Sequence, residues 1–143
     1  MTNLYETDFY AWTQQQAKFL KTKAWGELDT ANLIEEIESL GRKERQELRN
    51  RLGILLGHLL KWQYQPEYRG GSWKGSIVEH RRRIRESLKD SPSLKPYLEE
   101  VFAECYLDAV EQASAATELS AVTFPQSSPY TSVEVLDSTF LPE

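Results

Sequence analysis

A chain of 143 residues that is 40% hydrophobic, 11% aromatic and 27% charged has the length of one ordinary domain and the composition of a globular one, which argues against intrinsic disorder. Its one cysteine, Cys105, excludes an intramolecular disulfide and a cysteine-based zinc site and fits a reducing compartment. The net charge of −5 hides an uneven distribution: residues 42 to 89 hold thirteen Lys/Arg and five Glu, whereas the rest holds four Lys and seventeen Asp/Glu, so an acidic protein carries one basic third.

Met1 to Phe9 lack the basic segment and apolar run of a signal peptide, and no eighteen consecutive residues are apolar. Secretion and membrane spanning are therefore not expected, and a cytoplasmic protein is. Asp8 can cap a first helix carrying Trp12, Phe19 and Leu20 on a common side, interrupted at Trp25-Gly26-Glu27. Asp29 offers a second cap, with Leu28 and Leu33 as a hydrophobic staple, and Leu33, Ile37 and Leu40 follow at helical spacing. Gly41 predicts a bend, while the pairs Glu38–Arg42 and Glu47–Arg51 favour a helix continuing through it.

From Leu48 the apolar positions Leu48, Leu52, Leu55, Leu59 and Trp62 recur every three or four residues, marking the central helix. Gly53 and Gly57, one turn apart within it, predict a close crossing by another helix. Gln65-Pro66 ends this element, and a Gly70-Gly71 loop leads to a helix capped by Ser72 with Trp73, Ile77, His80, Ile84 and Leu88 on one stripe. Asp90-Ser91-Pro92-Ser93 breaks the chain again. The next helix starts near Leu94, with Pro96 in its first turn and an apolar face running from Leu98 to Ala113. Phe124 to Pro129 reads as an ordered loop. Thr131 and Glu134 form a capping box, stapled by Tyr130 and Val135, that opens a short last helix.

No segment alternates with a period of two and no repeat is evident. The expectation is an all-α, single-domain bundle of four to five main helices over residues 1–143, with a core over about 5–120 and a C-terminal loop and short helix over 121–143.

Four segments carry a resemblance: Asp8-Phe9-Tyr10-Ala11-Trp12, Leu33 through Glu35-Glu36-Ile37-Glu38-Ser39-Leu40-Gly41, Leu59-Leu60-Lys61-Trp62-Gln63-Tyr64, and Asp90-Ser91-Pro92-Ser93-Leu94. With Pro129-Tyr130-Thr131 as a fifth, the chain resembles the bacterial family of domain of unknown function twenty-nine over nearly its full length. The resemblance implies an all-helical fold and a stand-alone bacterial protein, and it brings no activity, ligand or catalytic residue.

Three kinds of site can be read from the residues. Glu35 and Glu38, one turn apart, with His58 or His80 from another helix, are the chemistry of a metal site or metal-dependent enzyme. The paired Glu-x-x-His motifs of di-metal bundles are absent, however, and acidic residues early in a helix are favoured by its dipole alone. Clustered cations at Arg42-Lys43-Glu44-Arg45 and Arg81-Arg82-Arg83 would suit nucleic acid or another polyanion. The acidic net charge and interleaved Glu favour instead a basic face that docks within the fold, is solvated, or meets an acidic partner protein. The surplus of aromatics around the Pro66–Ser72 loop suits a protein interface, with core packing expected for Trp12, Trp62 and Trp73.

Cys105 lies in an apolar stripe with no activating base, and no phosphate-cradling or nucleophile motif occurs. The reading favoured by the sequence is a helical binding or regulatory module without enzymatic activity or cofactor. It is expected to recognise a macromolecular partner, another protein before nucleic acid, through Arg45, Arg49, Arg81, Arg82 and Arg85 with Tyr64 and Tyr68. The metal reading with Glu35, Glu38 and His58 and the nucleic-acid reading stand as alternatives.

Overall fold

A computed structural model of the chain describes residues 3–143. The described residues form six α-helices and no strand: α1 (Leu4–Thr7), α2 (Phe9–Lys21), α3 (Thr30–Tyr64), α4 (Gly71–Asp90), α5 (Lys95–Thr117) and α6 (Ser132–Leu136). The all-α class expected from the periodicities is what the chain adopts. It divides into two compact units, Met1–Lys43 and Glu44–Glu143.

The first unit holds α1, α2, a 3-10 turn at Trp25–Glu27 and the start of α3. Asp8 caps α2 by accepting a hydrogen bond from the Ala11 amide at 3.1 Å. At the other end, Lys23 takes a left-handed φ of 59°, letting the amides of Lys23 and Ala24 reach the Leu20 and Phe19 carbonyls. This is a Schellman closure in which lysine occupies the position that usually favours glycine.

Among the described residues of this unit only Trp12 and Gln16 are buried, and both converge on Asp29. The Trp12 indole donates to Asp29 at 3.0 Å, and the Asp29 amide donates to the Gln16 side chain at 2.8 Å. Asn32 donates to the same carboxylate from its side chain and its backbone, so Asp29 caps α3 as expected. These bonds, the Asn32 side chain first, hold the Asp29 carboxyl below its usual range.

The expected core stripe of α3 does not form in its first turns. Ile37 is 66% exposed and Leu40 63%, whereas the side chains of this stretch that bond to α1 or at the helix start, Glu36 and Asn32, lie on a neighbouring face. There Glu36 accepts a hydrogen bond from the Tyr5 hydroxyl. Residues 41–47 are exposed on every side, and the helix runs through Gly41 without a break.

The second unit holds the main core. Leu48, Leu52, Leu55, Leu56, Leu59 and Leu60 of α3 meet Ile77, Ile84 and Leu88 of α4 and Leu98, Val101, Cys105, Tyr106, Ala109 and Ala113 of α5. Spacings of three and four place these residues on one side of each helix, and each fully buried leucine contributes about 2 kcal/mol. Of the paired glycines, Gly57 is buried with the Ala109 carbonyl 4.0 Å from where a Cβ would sit, while Gly53 has open space. The close crossing expected at both positions is therefore confined to ordinary contact at Gly57. Ser72 is not the cap of α4, which begins one residue earlier with Gly70 at the N-cap and no side-chain hydrogen bond.

Phe124, Tyr130 and Val135 are buried in the same core. The Tyr106 hydroxyl donates to the Pro125 carbonyl at 2.7 Å, Tyr130 donates to Gln63 at 2.6 Å, and the Thr131–Glu134 capping box opens α6 as expected.

Candidate functional site

The arginines singled out by the sequence do not form one open face. Arg49 reaches across to α5, with Glu104 at 3.1 Å and Asp108 at 3.5 Å, and the Glu104 hydrogen bond raises its pKa. Arg82 is gripped by Glu79 and Glu86 of its own helix, and Glu79 also holds Arg83. Arg45 lies over the Tyr97 ring, 4.3 Å from its centroid. Exposed pairs of this kind contribute little stability, but they cancel the local field that a polyanion would need.

Arg81 is the largest departure from expectation. It is 3% exposed, and its guanidinium donates to the Val135 carbonyl at 2.8 Å and the Phe140 carbonyl at 2.9 Å. Burial lowers its pKa, opposed by Asp137. A fork of fixed donors suits two carbonyls in this way, so Arg81 is a strut for the C-terminal segment, and it also lines the smaller of two cavities beside α4. Arg69 plays a similar part, donating to the Trp62 carbonyl at 2.6 Å and the Glu143 carbonyl at 3.1 Å. Of the two tyrosines, Tyr64 packs edge-on against Phe124 at 5.2 Å, whereas Tyr68 is 65% exposed.

What the strut creates is a groove. Where the C-terminal segment lies along α4, two adjoining cavities of about 490 and 750 Å³ share Arg85 and Ser138. The first is lined by Val78, Arg82 and Lys89, the second by Lys95, Val133 and Leu136. Among the described residues, Arg85, Lys89 and Lys95 have no salt-bridge partner within 4.0 Å. The carboxylates nearby are engaged: Glu86 by Arg82, Glu99 by Ser132 at 2.7 Å, and Asp137 by Thr139. The Asp137 carboxyl is held below its usual range by those Thr139 bonds first, then by Arg81 and Arg85. Val78 and Val133 are 54% and 78% exposed, so free cations and bare aliphatic surface lie side by side.

Sequence reading found Arg85 but missed Lys89, Lys95 and Ser138. The short Asp90–Ser93 break, which folds the start of α5 back beside the end of α4, was the signal for the two lysines. Ser138 carried none.

The metal reading gains no ligand set. Glu35 and Glu38 both face Arg42, at 2.9 and 3.9 Å, and no group of three or more His, Cys, Asp or Glu among the described residues is placed to hold a metal. His58 is half-buried, and burial, then Lys61 and His80, push its imidazole down to about 4. Cys105 is buried, and the loss of solvation lifts its thiol to about 11, leaving it an inert packing group.

Fold and groove together define a small all-helical protein with a cleft lined by Arg82, Arg85, Lys89 and Lys95. The chain belongs to the family described as Domain of unknown function DUF29, whose model matches residues 4–141. Comparison with curated proteins and with solved structures gave no match. No helix among the described residues is long and apolar enough to cross a membrane.

Proposed function

We propose that the chain is a protein-binding module, and that its groove takes an acidic, apolar segment of a partner protein. The observation that supports this reading is the company of Arg85, Lys89 and Lys95, three cations with no salt bridge within 4.0 Å among the described residues, with the exposed aliphatic groups of Val78 and Val133. Carboxylates of a partner would meet the cations while its apolar side chains cover the valines, the usual division between polar rim and apolar centre. A nucleic acid would match the cations but leave the aliphatic lining uncovered, and the net charge of −5 opposes its approach. The earlier set is thus narrowed: Arg85 stays central, Arg82 sits at the rim, Arg45 and Arg49 are engaged elsewhere, and Arg81 holds the wall. The single buried thiol suits a reducing compartment such as the cytoplasm.

Selection from a random peptide display library tests the reading. Peptides retained by the full chain should be enriched in Asp and Glu next to Leu, Ile or Val. The triple variant Arg85→Ala/Lys89→Ala/Lys95→Ala should bind them at least about tenfold more weakly with an unchanged helical spectrum. Selection without acidic bias, or equal binding by the triple variant, refutes the proposal. Tight retention of a DNA or RNA duplex with a steep salt dependence would put the polyanion reading in its place.

A further inference from the structure

The strut leaves part of its own head unused. Arg81 donates from Nε to the Val135 carbonyl and from Nη2 to the Phe140 carbonyl, and Nη1 meets no acceptor among the described residues. Arg81 is 3% exposed, yet among the described residues no side-chain nitrogen or oxygen that is shut away from solvent lacks a partner. Nη1 therefore keeps an opening, and the cavity that Arg81 lines, about 490 Å³ in volume, provides it. A guanidinium held this deep is an incomplete hydrogen-bonding group until something in that cavity accepts from it.

The rest of the lining has the same character. Arg81, Arg85 and Lys89 follow one another by one turn of α4 and span only about 80° of its circumference. Ser138 adds a hydroxyl from the turn after α6. Arg82 and Glu86, at the edge of the cavity, satisfy each other at 2.7 Å. Asp137 acts on Arg81 and Arg85 through its charge, but its carboxylate is taken up by Thr139. Three cations less this one carboxylate leave two positive charges uncompensated. A carboxylate answers one of them, with oxygens in a single plane. A phosphate monoester carries about −1.5 to −2 at pH 7 and three acceptor oxygens spread over a tetrahedron, which suits donors arriving from successive turns of one helix and from a turn facing it. Arginine held in a fixed orientation makes the strong, charge-assisted form of that contact.

We propose that the smaller cavity is a phosphoryl subsite of the groove, in which a phosphate monoester accepts from Nη1 of Arg81 and pairs with Arg85 and Lys89. Its source, on the groove reading on which this assignment rests, is a phosphorylated serine or threonine of the partner segment, whose apolar neighbours cover Val78. Arg81 then has two tasks, since the two bonds that hold the C-terminal segment also aim its third nitrogen at the ligand.

Titration of inorganic phosphate into the isotope-labelled full chain at constant ionic strength reads the subsite by nuclear magnetic resonance. The Arg81 side-chain Nε–H signal should shift and saturate in the millimolar range, and Arg85→Ala and Lys89→Ala should each weaken the binding at least about tenfold with an unchanged helical spectrum. Arg81 itself is left in place, because its removal also frees the C-terminal segment. An Arg81 signal that phosphate does not move, or a shift that survives both substitutions, overturns the subsite. The source is read with a synthetic acidic, apolar peptide in which phosphoserine replaces one Glu, expected to bind at least about tenfold more tightly than its parent. Equal binding of the two peptides overturns the subsite and leaves the groove reading standing. Saturation by phosphate with neither peptide bound overturns the groove reading instead, and makes the cavity a site for a free, small phosphate ester.

Discussion

Replacing Arg81 by methionine, which keeps the length of the side chain and removes its donors, should release the C-terminal segment. Two charge-assisted hydrogen bonds, at 2.8 and 2.9 Å to the Val135 and Phe140 carbonyls, disappear. Each bond of this class contributes about 1.5–3 kcal/mol. Against that stands the relief of a buried charge that has no ion-pair partner within 4.0 Å. The net loss is therefore about 2–4 kcal/mol, or roughly a 10 °C fall in Tm for a chain of this size. Arg81→Lys should recover only part of it, since one ammonium group cannot reproduce a guanidinium fork aimed at two carbonyls.

Denaturant unfolding followed by far-UV circular dichroism gives the stability, and hydrogen exchange resolved by residue gives the place. Amides of residues 131–140 should lose protection first, and those around Leu55 to Leu60 should follow only to the extent that global stability drops. The groove wall at Val133 and Ser138 loosens with the segment, so peptide binding should weaken too. An Arg81→Met chain with unchanged denaturation midpoint and unchanged exchange in the last dozen residues would refute the strut.

Two further outcomes follow from burial and packing. His58, held near 4 chiefly by burial, and His80, lowered by burial and by Arg51, stay neutral in the folded chain at pH values where the unfolded chain protonates them. Their contribution is present above pH 6.5, the unfolded value, and is lost as pH falls toward 4. Stability should therefore drop by on the order of 2 kcal/mol across that window, and His58→Gln should flatten the slope in denaturation curves taken at successive pH values. At the paired glycines, Gly53→Ala should stabilise by up to about 1 kcal/mol because its surroundings are open. Gly57→Leu should destabilise by about 1–3 kcal/mol by overfilling the contact with Ala109. Thermal melts of the two variants moving in the same direction would contradict the difference in packing.

The second unit was legible because its signal is local. Leu48, Leu52, Leu55 and Leu59 define a face by spacing alone, Pro66 and Pro92 end helices by missing donors, and Thr131 with Glu134 announces a helix start. Leu33, Ile37 and Leu40 carry the same spacing, yet two of them remain mostly in water. Periodicity says that residues share a face, and it cannot say that anything covers the face. Arg81 was misplaced for the converse reason. It sits one turn before Arg85 and in sequence looks like any solvated cation, and its burial is dictated by carbonyls more than fifty residues away.

The same distinction governs the charges. A basic third read along the chain suggests a basic surface, but a salt bridge needs only one turn of helix or one facing helix to form, and Glu47, Glu79, Glu86, Glu104 and Asp108 are each within that reach. After those contacts, Arg85 is left over at the junction of α4 and α5, because its helical neighbours at three and four residues include no carboxylate. Arg85 has Arg81, Arg82, Leu88 and Lys89 at those positions. A substitution that supplies one, Lys89→Glu, places a carboxylate four residues beyond Arg85. It should silence the groove as effectively as removing the arginine, while leaving the guanidinium in place and the fold intact.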